Sequence, residues 1–288
     1  VSLTRRTALP SDAAAVARLY VAYDTVELGA PEMELGDVEQ QLTLAGSERI
    51  VVEDGDRLVG FADVARTGEA ETVVDPAYAG AGELQRELLT WVTERARDLG
   101  ARRLEHWAGP SPGGAALVLA AAGFAHVRTM WQMRRELAAA LPATVWPAGV
   151  RQVAFDPAEH GRATWELMTR AFAGQFGSHA RPFADWAHFV LVPETDAVLA
   201  FDGDVLVGAA VTGPRGGGGH VNQLAVMPES RGRGLAKALL HEAFRRDTES
   251  GHSATTLVVD GDNDTARSLY EKAGMRVERE YRRWERDV

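Results

Sequence analysis

Residues 221–240 place a strand, a glycine loop and a helix start in series. Val221 to Val226 is an apolar-rich run that ends at Pro228, and Glu229-Ser230-Arg231-Gly232-Arg233-Gly234 separates it from Leu235, Ala238, Leu239 and Ala243, which recur at helical spacing. Such a series makes an anion site. The first turn of a helix leaves backbone N–H groups unpaired, and the helix dipole adds partial positive charge there. Gly232 and Gly234 carry no side chain, so a phosphate can approach the backbone at Gly232 to Ala236. Arg231 and Arg233 add full charges that suit a pyrophosphate. Two other phosphate loops are excluded by detail. A Walker loop ends in Gly-Lys-Ser/Thr, which is missing here. A dinucleotide fingerprint wants a third glycine where Lys237 stands. Gly216 to Gly219 precedes no helix and reads as a hairpin tip.

Groups that can move protons flank this loop. The strand His220-Val221-Asn222-Gln223-Leu224-Ala225-Val226 holds no carboxylate. His220 titrates in the useful range and shares a strand face with Asn222 and Leu224, so it is a candidate base with a structural role as its equal alternative. Further on, Leu257-Val258-Val259-Asp260 reads as a strand. Asn263, Ala266 and Leu269-Tyr270-Glu271-Lys272-Ala273-Gly274-Met275 then read as a helix and its end. Asp260 is a second candidate base, with turn capping as its competing role. The histidines show no ligand spacing and there is no Cys, so no metal and no disulfide are expected.

The elements that position these residues occur twice. Asp54-Gly55-Asp56-Arg57-Leu58-Val59-Gly60 returns as Asp202-Gly203-Asp204-Val205-Leu206-Val207-Gly208, with Asp-Gly as a hairpin signal in each. Pro76, Gly80 and Gly82 match Pro228, Gly232 and Gly234, and Ala122-Gly123-Phe124 matches Ala273-Gly274-Met275. Each copy closes on a strand-like segment, Met130 to Leu137 and Tyr281 to Val288. The spacing predicts a duplicated domain: residues 1–137, a linker at 138–147 with two prolines and no charge, and residues 148–288. In the first copy Arg231 becomes Ala79, Arg233 becomes Ala81, and Leu119 stands where Tyr270 would be. Residues 1–137 therefore read as a degenerate copy that supports the second or shapes its cleft.

Composition bounds the partners. The 288 residues are 45% hydrophobic and 25% charged, with a formal net charge of −10, which argues against binding nucleic acid through its phosphates. Residues 1–145 carry 14 basic and 21 acidic side chains, so a polyanionic cofactor favours the second half. No apolar run approaches the roughly 18–20 residues of a membrane span, and the N-terminus lacks the apolar core of a signal peptide. A cytoplasmic protein is expected. Oligomeric state stays unassigned.

Val226-x-Pro228-x-x-Arg231-Gly232-x-Gly234-x-Ala236 resembles the acetyl-CoA loop of the GNAT acyltransferases, and the segment from Leu257 to Met275 resembles that family's second element. The resemblance is strong over residues 205–288 and fainter elsewhere. It implies an α+β protein of two tandem domains, each a mixed, mostly antiparallel sheet flanked by helices. It further implies an acetyl-CoA-dependent N-acetyltransferase in which a primary amine of a small-molecule acceptor attacks the thioester directly. By resemblance, Leu224 and Val226 hold the pantetheine arm through their backbones, Arg231, Gly232, Arg233, Gly234, Leu235 and Ala236 hold the pyrophosphate, Asn263 binds the arm, and Tyr270 is the acid for the departing thiolate. The aromatic stretch Trp165, Phe172, Phe176, His179, Phe183 and Trp186 is expected to supply core and part of the acceptor pocket. A non-catalytic CoA-binding protein and a longer-chain acyltransferase are the alternative readings.

Overall fold

The computed structural model describes residues 3–110, 114–138, 141–174 and 181–288. The chain folds as two compact units. One is Val1–Trp131 with Asp260–Asp262 and Arg279–Val288; the other is Gln132–Val259 with Asn263–Glu278.

In the first unit, β1 (Thr4–Thr7), α1 (Ala13–Glu27), α2 (Leu35–Thr43), β2 (Ser47–Asp54), β3 (Arg57–Ala65), β4 (Glu69–Val74), α3 (Ala81–Asp98), β5 (Arg103–Ala108), α4 (Ala115–Ala121) and the start of β6 (Ala125–Glu136) follow in order. The second unit holds the end of β6, then β7 (Val150–Val153), α5 (Pro157–Phe172), α6 (Phe183–Val190), β8 (Asp196–Asp202), β9 (Val205–Arg215), β10 (Gly218–Val226), α7 (Leu235–Glu249), β11 (Ala254–Asp260) and α8 (Asp264–Lys272). The last strand, β12 (Arg276–Asp287), contributes its end to the first unit.

Each unit is a sheet between helices. The strand order is β1-β2-β3-β4-β5-β12 in the first and β7-β8-β9-β10-β11-β6 in the second. The first four strands of each are antiparallel, and β4–β5 and β10–β11 are the parallel pairs. This is the mixed, mostly antiparallel α+β architecture expected from the sequence. The closing strands differ from the simple reading. Arg282 to Asp287 pair antiparallel with Ala108 to Arg103, inside the first unit, while Leu137 N–H bonds the Ser253 carbonyl inside the second. The compact units therefore do not follow the division at 138–147 residue for residue. A strand's own sequence specifies which face is apolar and leaves open which sheet edge it joins.

Local chemistry explains the turns. Asp54↔Arg57 and Asp202↔Val205 close two-residue hairpins in which Gly55 (φ 61°) and Gly203 (φ 59°) take the first central place and the following Asp keeps a negative φ. That is the type II′ arrangement, which asks for glycine at the first position. Gly216 and Gly217 form the tight β9–β10 turn.

Both faces of each sheet are buried. In the first unit Leu84, Leu88, Leu89 and Val92 of α3 pack on Val52, Val59 and Val64, while Val16, Leu19, Val38 and Leu42 of α1 and α2 pack on Val51, Phe61 and Val73. In the second, Leu167, Met168 and Ala171 of α5 pack on Leu199, Val211 and Ala225; Leu235, Ala238, Leu239 and Ala243 of α7 are also buried. The repeated glycines Gly60 and Gly208 let these helices approach. A Cβ on Gly208 would stand 2.9 Å from Leu239 Cδ1 and 3.2 Å from the Ala225 carbonyl oxygen. Gly208→Ala is thus expected to cost about 1–3 kcal/mol, read as a lower thermal midpoint at unchanged secondary structure.

Candidate active site

The site is built in the second unit where β10 leaves β11. The two strands pair in parallel from Gly219↔Thr255 to Val221↔Leu257, and the pairing ends there. Against β9 the register shifts between Val221 and Gln223, so Asn222 is an extra, bulged residue. The bulge coincides with the splay, and from Gln223 to Val226 the β11 side of the strand backbone has no strand partner. Side chains of β10 are buried on either side of this point and open to solvent only through Asn222, Gln223 and Leu224. Leu224 and Val226 thus border a wedge between strands, with Val226 itself buried.

The glycine loop lies at the end of β10. Gly232 (φ 78°) and Gly234 (φ 86°) both take the left-handed region, which L side chains rarely enter. Gly234 is the N-cap of α7 and offers no side chain to it, and the first turn of the helix holds no acidic residue. The first backbone bond of the helix runs from Ala238 N–H to the Gly234 carbonyl at 3.1 Å. Among the described residues, the amides of Gly232 to Lys237 meet no acceptor outside the helix. A run of unpaired N–H groups at a helix dipole fits a pyrophosphate.

The two loop arginines each have partners within the protein. Arg231 donates from Nε to the Val226 carbonyl and from a terminal nitrogen to the Ala171 carbonyl, both at 3.3 Å. Arg233 pairs with Asp202 at 2.6 Å and reaches the Ala148 carbonyl at 3.3 Å. Both heads tie the loop to its frame, so the amides carry the anion-binding potential. Ala171, Asp202 and Ala148 lie far from the loop in sequence, so residue type alone does not show these contacts.

Asn263 also has a local duty. Its side-chain oxygen accepts from Ala266 N–H at 3.1 Å and caps α8, and among the described residues its amide nitrogen meets no acceptor. Tyr270 lies on α8, is 8% exposed, and makes no side-chain hydrogen bond among the described residues. Burial pushes its phenol up to about 12. It is a neutral donor with an unclaimed proton.

His220 is placed differently from a general base. It is 4% exposed and its Nδ1 lies 2.8 Å from Thr256 Oγ1, its register partner on β11. Burial, and secondarily Arg215, pushes its protonation down to about 3. Such a ring is a strand-to-strand tie and a poor proton acceptor at neutral pH. Asp260 accepts from Asp262 N–H at 2.9 Å and stands 3.5 Å from Arg128, the turn-capping role.

The aromatic stretch forms a stack. Phe183 stacks on Trp186 (centroids 6.2 Å) and meets Trp165 edge-on (5.8 Å), with Arg162 over the Phe183 ring at 4.4 Å. Phe176 and His179 lie outside the described residues. The residue-by-residue reading missed one link: Trp186 Nε1–H donates to Gln223 Oε1 at 3.0 Å. A buried tryptophan needing an acceptor was the available signal.

The first unit departs at the matching places. Ala81 N–H bonds the Tyr78 carbonyl, and Glu83 and Leu84 N–H bond the Gly80 carbonyl, so the loop amides are largely spent. Glu83 adds a negative charge to the first turn of α3. Thr72, four residues before Pro76 as Leu224 is before Pro228, joins Gln85 (2.7 Å) and His106 (2.8 Å) in a buried chain. Leu119, in place of Tyr270, is fully buried core.

A splayed parallel strand pair, a glycine loop with unpaired amides and a donor phenol are the features that the resemblance to the acyltransferases implies for the site. The profile of the GNAT acetyltransferase family matches residues 153–275. The mycothiol acetyltransferase of Thermobispora bispora is 33% identical over 257 residues, covering 85% of this chain and 83% of that one. That of Streptosporangium roseum is 31% identical and covers 86% of each. A GCN5-related N-acetyltransferase from Sphaerobacter thermophilus superposes with a TM-score of 0.79 at 28% identity, over 99% of this chain and 95% of that one. A tandem GNAT protein of the clavulanic acid pathway shares the fold (TM-score 0.78, 20% identity, 99% and 98% covered). The chain belongs to the GNAT acetyltransferase family, in its tandem form. It is an acyl-CoA N-acetyltransferase.

Proposed function

We propose that the second unit transfers acetyl from acetyl-CoA to a primary amine of a small-molecule acceptor by direct attack, and that the first unit is a degenerate copy without a cofactor site. The coincidence of the β10–β11 splay with the unpaired amides of Gly232 to Lys237 carries this reading. Bound acetyl-CoA would supply an acyl group activated as a thioester. The chain's own groups do the rest. Backbone N–H groups of the loop and of Leu235 and Ala236 hold the pyrophosphate, with Arg231 and Arg233 keeping the loop in shape. The backbone of Leu224 and Val226 lines the arm and offers N–H groups to the reacting carbonyl. The Asn263 amide nitrogen donates to the arm. Tyr270 donates toward the sulfur as charge grows there. Fixing amine and acyl group side by side removes much of the entropic barrier. With no carboxylate on β10 and His220 sealed, the amine's proton passes to water at the solvent-open window of Asn222 to Leu224. The name borne by the sequence relatives makes a mycothiol-type acceptor the first compound to assay.

Calorimetric titration with acetyl-CoA tests the location. One site per chain is expected. Ala236→Asp adds an acid where a helix start welcomes one, so folding should be kept. Its charge opposes a phosphate there, and the dissociation constant should rise roughly ten- to a hundredfold. Two sites would restore the first unit as a binder, and no binding would remove the proposal.

A further inference from the structure

We propose that Gln223, held by Trp186, selects acceptors that carry a hydrogen-bond-accepting oxygen, carbonyl or hydroxyl, beside the amine that is acetylated. The inference rests on the acetyl-transfer reading and names the substrate class of that same site.

Trp186 is 5% exposed, and its indole N–H donates to Gln223 Oε1 at 3.0 Å. An indole nitrogen can only donate. The contact therefore fixes which end of the Gln223 amide faces α6 and turns Nε2, with its two N–H groups, the other way. Among the described residues Nε2 meets no acceptor. The residue stands beside the Asn222 bulge, in the solvent-open window of β10 and next to Leu224 in the chain. Trp186 is itself held by its stack on Phe183, which Trp165 and Arg162 brace. The donor pair is thus set in position before any acceptor arrives.

Two amide N–H groups attract an oxygen and gain nothing from a bare ammonium or an alkyl chain. An oxygen bound there holds its neighbouring amine at the edge of the splay, beside the Leu224 backbone. An acceptor that lacks the oxygen leaves the donors unpaired, and unpaired groups are what give such sites their discrimination.

The test compares kcat/KM for glycinamide, ethanolamine and propylamine, chosen for similar length, in wild type, Gln223→Met, Gln223→Glu and Trp186→Phe. The quantity read is the preference for each oxygen-bearing amine over propylamine, relative to the wild-type preference, so intrinsic amine reactivity cancels. Gln223→Met should lower this preference about tenfold through KM, with kcat and acetyl-CoA affinity within about threefold. Gln223→Glu keeps the bond from Trp186 and the side-chain volume but has no donor; for glycine N,N-dimethylamide, a further probe whose carbonyl accepts and whose amide cannot donate, it should lower the preference equally even if the methionine variant folds poorly. Trp186→Phe should lower it in part. The amine that loses more identifies the oxygen read, carbonyl or hydroxyl. A preference unchanged in both Gln223 variants overturns the proposal. A wild type that binds acetyl-CoA and acetylates no amine overturns the transfer reading instead, and this proposal with it.

Discussion

Tyr270→Phe is expected to lower kcat about a hundredfold while the KM for acetyl-CoA changes by less than about threefold. The phenol is pushed up to about 12 by burial, whereas a thiol sits near about 8.5. Complete proton transfer from Tyr270 to the departed thiolate would run uphill by roughly 3.5 units, about 5 kcal/mol, and transfer to the sulfur before it departs would cost more still. In the proposed mechanism Tyr270 thus donates a hydrogen bond that strengthens as negative charge develops, and the net proton comes from the acylated nitrogen. The variant loses a donor and no packing. Among the described residues the Tyr270 hydroxyl holds no partner, so the phenylalanine form should unfold within about 1 kcal/mol of the wild type. The pH profile adds a second reading. A phenol that stays protonated to about 12 contributes no limb at ordinary pH, so wild type and variant should show the same profile at different heights. Unchanged turnover in the variant would return Tyr270 to a packing role on α8.

Local signals in the sequence carried most of the fold. The Asp-Gly pairs at 54–55 and 202–203 form the hairpins their chemistry demands, and the glycine at the start of α7 takes the left-handed conformation that only it enters freely. The duplication was legible because the same turns recur in the same order. What escaped depends on partners remote in sequence. Arg231 and Arg233 read as phosphate ligands, and their contacts with Ala171, Asp202 and Ala148 had no local signal. The Asn222 bulge has no composition signature, yet it coincides with the splay that makes the wedge. The exchange of closing strands was also hidden, since the edge that Arg282 to Asp287 join is chosen by the folded first unit.

Local and remote contacts together separate the two copies. Gly80 and Gly82 persist in the first unit, so sequence leaves a weak cofactor site open there. The fold spends the amides of Ala81, Glu83 and Leu84 on Tyr78 and Gly80, and it threads Gln85, Thr72 and His106 through the place that matches Leu224. Glycines supply the option of an anion cradle. Whether it remains open depends on what else reaches the amides.

His220→Gln should leave the shape of the pH–rate profile unaltered and should alter instead how stability depends on pH. The ring is buried against Thr256, and its folded pKa is pushed down to about 3, against about 6.5 when exposed. Between these values the unfolded chain binds more protons at this position than the folded one. Stability from this residue therefore rises with pH across the window and is lost on acidification, at about 1.4 kcal/mol per pH unit. Carboxylates with raised pKa, such as Asp247, run the opposite way and are common to both proteins, so the difference between wild type and variant isolates the histidine. Glutamine cannot titrate and can still bond the threonine hydroxyl. The stability of wild type relative to His220→Gln should fall by roughly 2–3 kcal/mol between pH 6.5 and pH 4.5 in denaturant titrations. A general base would behave otherwise. Its loss would remove the acidic limb of kcat/KM and leave the stability difference flat with pH, because a base poised near neutrality keeps close to its unfolded pKa.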